Sequence, residues 1–219
     1  MKTKNIIYHM LMFLPLLIVC IALPFLPEQI PAHYGFDGQV TRWGSKYEAL
    51  LYPIVTILMG YFLRFMANLA AKQEEHGENN RNVILMTGIA ILGYFNVMNL
   101  YALYTDFNGV EDLSSVSLDL WQLLFGVLGF VMVVLGNIMP KLRYNSIAGL
   151  RTKWSMKNEL TWKKSQRFGG ISFMIGGSLV IAVCFLTKGA ACFFWTMGIL
   201  ALLAAVDVCY TIRIAGKHK

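Results

Sequence analysis

Six stretches of the chain are nearly free of charge and apolar almost all the way round. They are Ile6–Leu26, Ala49–Ala71, Val83–Tyr104, Leu120–Met139, Gly169–Thr187 and Ala190–Ile212. Arg64 interrupts the second and Asp207 the sixth. A helix on a soluble core would show a polar face every 3.6 residues, and these runs show none. A hydrocarbon layer of about 30 Å is crossed by roughly 20 apolar residues of helix, which is the length of each run. The pattern predicts an all-α, polytopic membrane bundle of six transmembrane helices. The first run has a basic start, but its apolar core exceeds that of a signal peptide and no small-residue cleavage site follows. Pro24 and Pro27 mark a helix end there, so an uncleaved first helix is expected.

Composition agrees with this reading. The chain has 219 residues, 57% hydrophobic and 14% charged, whereas soluble domains carry about 25% charged residues. The apolar runs leave no room for a separate soluble domain. A formal net charge of +7 could point to nucleic acid, but its placement does not. If the N-terminus lies inside, sixteen of the nineteen Lys and Arg fall on the inner side, and only Arg42, Lys46 and Lys188 fall outside. That bias orients membrane proteins. It predicts both termini in the cytoplasm, a lipid bilayer as the first partner, and no direct contact with nucleic acid. The outer loops collect Glu28, Asp37, Glu48, Asp106, Glu111, Asp112 and Asp119.

The connections differ in kind. Pro27–Glu48 is an outer loop in which Gly35-Phe36-Asp37-Gly38 supplies turn chemistry between two extended stretches. A small β-hairpin over the outer face is expected, with Trp43 and Tyr47 at the lipid interface. Lys188-Gly189 is a tight outer turn. Pro140–Phe168 is a long basic inner loop. In it Ser155 is expected to cap a helix opening with Met156–Trp162, and Trp154 and Trp162 suit the headgroup region. Gly149 supplies a turn that presents Arg151 and Thr152.

Candidate chemistry is sparse. His9, His33, His76 and His218 fall in different segments, and only His76 has acidic neighbours, Glu74, Glu75 and Glu78. No phosphate loop, nucleophile elbow or zinc-binding pair of histidines occurs. No catalytic residue, metal or cofactor is therefore expected. Cys20, Cys184, Cys192 and Cys209 read as buried small hydrophobes, although Cys184 and Cys192 flank the last outer turn and a disulfide there is open. Charges inside spans cost about 2.5–3.5 kcal/mol at mid-depth. Arg64 and Asp207 lie at similar depth from the inner helix ends, which predicts an ion pair between the second and sixth helices. The alternative is that Arg64 reaches the inner headgroups and Asp207 faces a wet cavity. Asn96 and Asn99, three residues apart on one helix face, bond neighbouring helices or line a substrate path. Gly126 and Gly129 in the fourth helix, and Ser172, Gly176 and Gly177 in the fifth, offer small-residue surfaces for close packing.

One set of residues is more specific. Gly136-Asn137, Asn145, Gly149-Leu150-Arg151-Thr152-Lys153-Trp154-Ser155, Glu159, Trp162 and Arg167 resemble the pattern of the SdpI family. Lys153 stands where that family usually has proline. Leu26-Pro27-Glu28-Gln29-Ile30-Pro31-Ala32-His33, with Gly38, Trp43 and Ser45-Lys46, is similar to an uncharacterised membrane module that often precedes SdpI regions. The resemblance divides the chain into 1–82, a two-helix module with the hairpin loop, and 83–219, an SdpI-like four-helix region. It implies a bacterial plasma-membrane immunity and signalling protein. Such a protein guards its cell against a secreted, membrane-active peptide toxin and holds a transcriptional repressor at the membrane. Within the inner motif, Arg143, Arg151, Lys153 and Arg167 serve lipid phosphates, or Asn145, Arg151, Thr152, Trp154 and Trp162 form a surface for a protein partner. A small-solute transporter using Asn96, Asn99, Arg64 and Asp207 is the alternative function.

Overall fold

The computed structural model describes residues 2–72 and 75–217. Glu74 and His218 therefore lie outside the described residues. The helices are α1 (Lys2–Ala22), α2 (Leu51–Ala71), α3 (Gly77–Asn108), α4 (Leu120–Ile138), α5 (Glu159–Leu186) and α6 (Gly189–Lys217), with strands β1 (Gln29–Tyr34) and β2 (Val40–Ser45) between α1 and α2. All six helices are long and apolar enough to cross a membrane, and the chain is a polytopic membrane bundle. The apolar runs mark each crossing, but two helices begin six or more residues before theirs. α3 begins six residues before Val83 and α5 ten residues before Gly169. Their polar first turns leave the lipid yet stay helical, because buried neighbours hold them.

α3 packs on α1 and α2, while α5 packs between α4 and α6. The first group closes on Tyr8, Met12, Ala67, Ala70, Ile84 and Leu92. The second closes on Phe125, Val180, Cys184 and Cys192. The two thiols are free and 3.6 Å apart. The α4–α5 contact is unusually close. A Cβ on Gly129 would stand 2.7 Å from the Gly177 carbonyl, and one on Gly170 would stand 2.6 Å from the Gly136 carbonyl. Two glycine pairs one heptad apart thus let the backbones touch. Gly129 and Gly177 pack as small residues. Gly126 has only Cys184 nearby, and Gly176 faces Leu203 of α6.

β1 and β2 form an antiparallel pair, joined by the Gly35–Gly38 turn, where Gly38 adopts φ +86°. The hairpin lies on the α3–α4 connection. Val40 N–H donates to Glu111 O at 2.9 Å, Leu113 N–H to Gly38 O at 2.9 Å, and Tyr34 Oη–H to Val110 O at 2.7 Å. Burial pushes the Tyr34 phenol above its ordinary range. Phe36 packs among Trp121, Phe193 and Phe194 of α4 and α6. At this same end Asp119 caps α4, accepting from Trp121 N–H at 2.6 Å, and also accepts from Gly189 N–H at 2.7 Å. One carboxylate therefore joins two helix starts.

Candidate functional site

Two polar features stand at opposite ends of α3. At one end the segment between α4 and α5 folds into a tight knot. Asn145 is buried and closes it locally: its Oδ1 accepts from Ile147 and Ala148 N–H at 2.8 Å each, and its Nδ2 donates to Arg143 O at 2.8 Å. Short Asn side chains mimic a backbone turn in this way. Gly149 follows at φ +110°, a region closed to most side chains, and a Cβ there would meet Gln166 Oε1 at 2.6 Å. Gln166, fully buried in α5, accepts from Leu150 N–H at 2.9 Å and donates to Leu150 O at 3.0 Å. Thr152 and Ser155 exchange hydrogen bonds: Thr152 N–H donates to Ser155 Oγ at 2.8 Å, and Ser155 N–H to Thr152 Oγ1 at 3.0 Å. Thr152 Oγ1 also donates to Thr211 Oγ1 of α6 at 3.1 Å.

These contacts correct two expectations. Ser155 does not cap a helix, because its hydroxyl is committed to Leu150 O at 2.8 Å. Asn158 caps α5 instead, accepting from Thr161 N–H at 2.8 Å, and Glu159 is its first residue. Nor does Trp162 reach the headgroups or a partner. It is 1% exposed, donates Nε1–H to Leu142 O at 3.1 Å, and packs with Val83 and Leu142. α3 pins the same knot: Asn80 Oδ1 accepts from Arg143 N–H at 2.9 Å, and Asn79 Nδ2 donates to Lys141 O at 2.8 Å. Around the knot, Asn137, Arg151, Glu159 and Arg167 are exposed and Trp154 is half-buried. Lys153 lies 4.8 Å from the Trp154 ring centre. Arg151 reaches Ile147 O at 3.4 Å. The buried members of the motif hold the knot, and Arg151, Lys153, Trp154 and Arg167 are left for lipid or a partner.

At the other end of α3 the hairpin roofs a cavity of about 290 Å³, lined by apolar residues, by Asn99, Thr105 and Asp106 of α3, and by His33, Glu48 and the tyrosines at 34, 52 and 101. Asn99 and Asp106 are 2% and 5% exposed. Asn99 Nδ2 has no hydrogen-bond partner among the described residues. Asn96 does not line it: its Nδ2 donates to Leu11 O of α1 and to Leu92 O, both at 2.8 Å, tying α3 to α1.

The expected Arg64–Asp207 pair does not form. α2 and α6 belong to different packing groups, so the two residues never face each other. Arg64 stands 3.2 Å from His9 Nε2. His9 Nδ1 lies 2.7 Å from Asn5 O, a carbonyl that can only accept, so the proton sits on Nδ1 and Nε2 takes the Arg64 donor. Asp207 is buried against Ser172 of α5, with Oδ1 unpartnered among the described residues. Gln166, His9 and the cavity role of Asp106 were not singled out from sequence. A buried glutamine one position from an arginine carries no spacing signal of its own.

Comparison with known proteins covers both ends of this arrangement. Residues 10–57 match a domain of unknown function, DUF1648, and residues 141–211 match the SdpI/YfhL protein family. The immunity protein SdpI of Bacillus subtilis (strain 168) is 26% identical over 186 residues, 84% of this chain and 83% of that protein. No solved structure gives a significant match. The knot from residue 141, α5 and most of α6 are thus what matches the SdpI/YfhL protein family, and the DUF1648 match precedes them in the same membrane chain.

Proposed function

We propose that this chain is an SdpI-like immunity protein of a bacterial plasma membrane, acting without catalysis. The hairpin end faces outward and both termini lie in the cytoplasm, a reading supported by the placement of Lys and Arg. The hairpin end, with the cavity-lining end of α3, receives a secreted, membrane-active peptide or its effect. The knot end reports it through exposed Arg151, Lys153 and Arg167 and half-buried Trp154, which dock a cytoplasmic regulator, a transcriptional repressor. The observation that carries this reading is the likeness to the Bacillus subtilis immunity protein, which spans 84% of the chain and so takes in both ends. The 32 residues of α3 supply the physical link: one unbroken helix lines the cavity with Asn99 and Asp106 and pins the knot with Asn80.

Transport is the weaker reading, since Asn96 spends its amide on backbone carbonyls and Arg64 is turned to His9. The two are separated by expressing the chain in a peptide-sensitive strain and reconstituting it in liposomes. Immunity requires raised tolerance of the peptide with no solute flux. Flux without tolerance would replace it with transport.

A further inference from the structure

The cavity under the hairpin has an unfilled polar demand. Asp106 is nine-tenths buried, and among the described residues its carboxylate makes no ion pair and no side-chain hydrogen bond. The nearby charges are spent. Glu48, on the cavity wall, is held two-pronged by Arg42 at 2.7 and 3.0 Å, and Lys46 is paired with Glu28 at 2.8 Å. A buried carboxylate is costly unless a cation meets it or it takes up a proton, and a cation in the cavity favours the charged form. Two turns earlier on α3, and so on the same face about 10 Å along the axis, the buried Asn99 Nδ2 has no acceptor among the described residues. Ile30, Leu51, Leu103 and Leu113 line the space between apolar walls. Concave apolar sites with a few convergent polar groups are the usual form of small-ligand sites.

We propose that this cavity binds a small organic cation: an ammonium for Asp106, an apolar body for the walls, and an acceptor oxygen at the far end for Asn99. A volume of about 290 Å³ suits one side-chain-sized group, such as the exposed ammonium-bearing residue of a peptide, and not a folded partner. The proposal rests on the reading of the hairpin end as the receiving side, and it names the chemistry received.

Tyramine has all three features. Tyrosol replaces its ammonium with a hydroxyl, and phenethylammonium lacks its phenol oxygen. Binding of each to the full chain in nanodiscs is measured by ligand-induced thermal stabilisation across a titration. Tyramine is expected to bind at least tenfold more tightly than tyrosol. Asp106→Asn is expected to abolish that preference. Asn99→Leu is expected to remove the advantage of tyramine over phenethylammonium and to keep its preference over tyrosol. Equal binding of tyramine and tyrosol by the unmodified chain would overturn the proposal, whatever the variants do. So would the same Asp106-dependent stabilisation from sodium chloride alone, which would make the ligand an inorganic ion. A chain that shows no preference for tyramine yet protects cells loses the cavity proposal and keeps its immunity role. A chain that binds tyramine as expected but gives no tolerance loses the immunity role alone.

Discussion

The side-chain amide of Gln166 bonds both backbone polar groups of Leu150, at 2.9 and 3.0 Å, and so seats the loop after Gly149 on α5. Removing it takes the partner from Leu150 N–H, while Leu150 O keeps the Ser155 hydroxyl at 2.8 Å. Gln166→Leu is expected to cost about 1–3 kcal/mol, the range for one unsatisfied buried group. Unfolding in mixed detergent micelles should rank Gln166→Leu below the unmodified chain, with weaker protection of the Leu150 amide read by hydrogen exchange.

Glycines in this bundle do unequal jobs. Gly136 lies against the Gly170 backbone, and Gly198 of α6 has nothing within 4 Å of where a Cβ would stand. Gly136→Val is expected to push α4 from α5 at a cost of about 1–3 kcal/mol, the usual range for overpacking. Gly198→Ala is expected to be neutral or stabilising by about 0.5–1 kcal/mol, through helix propensity. A thermal unfolding series in one detergent checks both. Equal losses at the two sites would remove the close-contact account of the α4–α5 interface.

The intramembrane charges have separate partners, so exchanging them should not help. Arg64 is oriented by His9, while Asp207 lies against Ser172. The double exchange, Arg64→Asp with Asp207→Arg, is expected to lose the sum of the single losses, with coupling below about 0.5 kcal/mol as for distant sites. Recovery of folding in the double variant would mean that α2 and α6 do meet.

Arg151 separates the two readings of the basic surface. It is exposed, with one long contact to Ile147 O at 3.4 Å, so Arg151→Lys should leave stability within about 0.5 kcal/mol, as surface changes usually do. If the knot docks a protein partner, the same change removes a planar, multi-donor fork and is expected to weaken reporter output without weakening tolerance of the peptide. Unchanged reporter output would assign Arg151 to lipid phosphates.

How far the sequence could be read follows from where each signal lies. A crossing helix must be apolar for its whole length, so six spans were legible directly. The Gly35–Gly38 turn was legible because few residues accept its backbone, and β1 and β2 flank it. The polar first turns of α3 and α5 were not legible, because once outside lipid their helicity depends on contacts such as Asn80 with Arg143. Trp162 reads as an interfacial residue by type and is buried by Leu142 and Val83. Arg64 suggested an acid as partner by charge alone. Its actual neighbour, His9, is a neutral acceptor on the adjacent helix, and no rule of spacing joins residues 55 positions apart.

Reception at the hairpin and reporting at the knot require those two ends to lie on opposite sides of the membrane. Single cysteines at Tyr47 and at Lys153, in a chain freed of its four native cysteines, can be challenged in intact cells with a membrane-impermeant maleimide. Labelling at position 47 before lysis, and at position 153 only after it, is the predicted result. Labelling at position 153 in unbroken cells would invert the molecule and contradict the account.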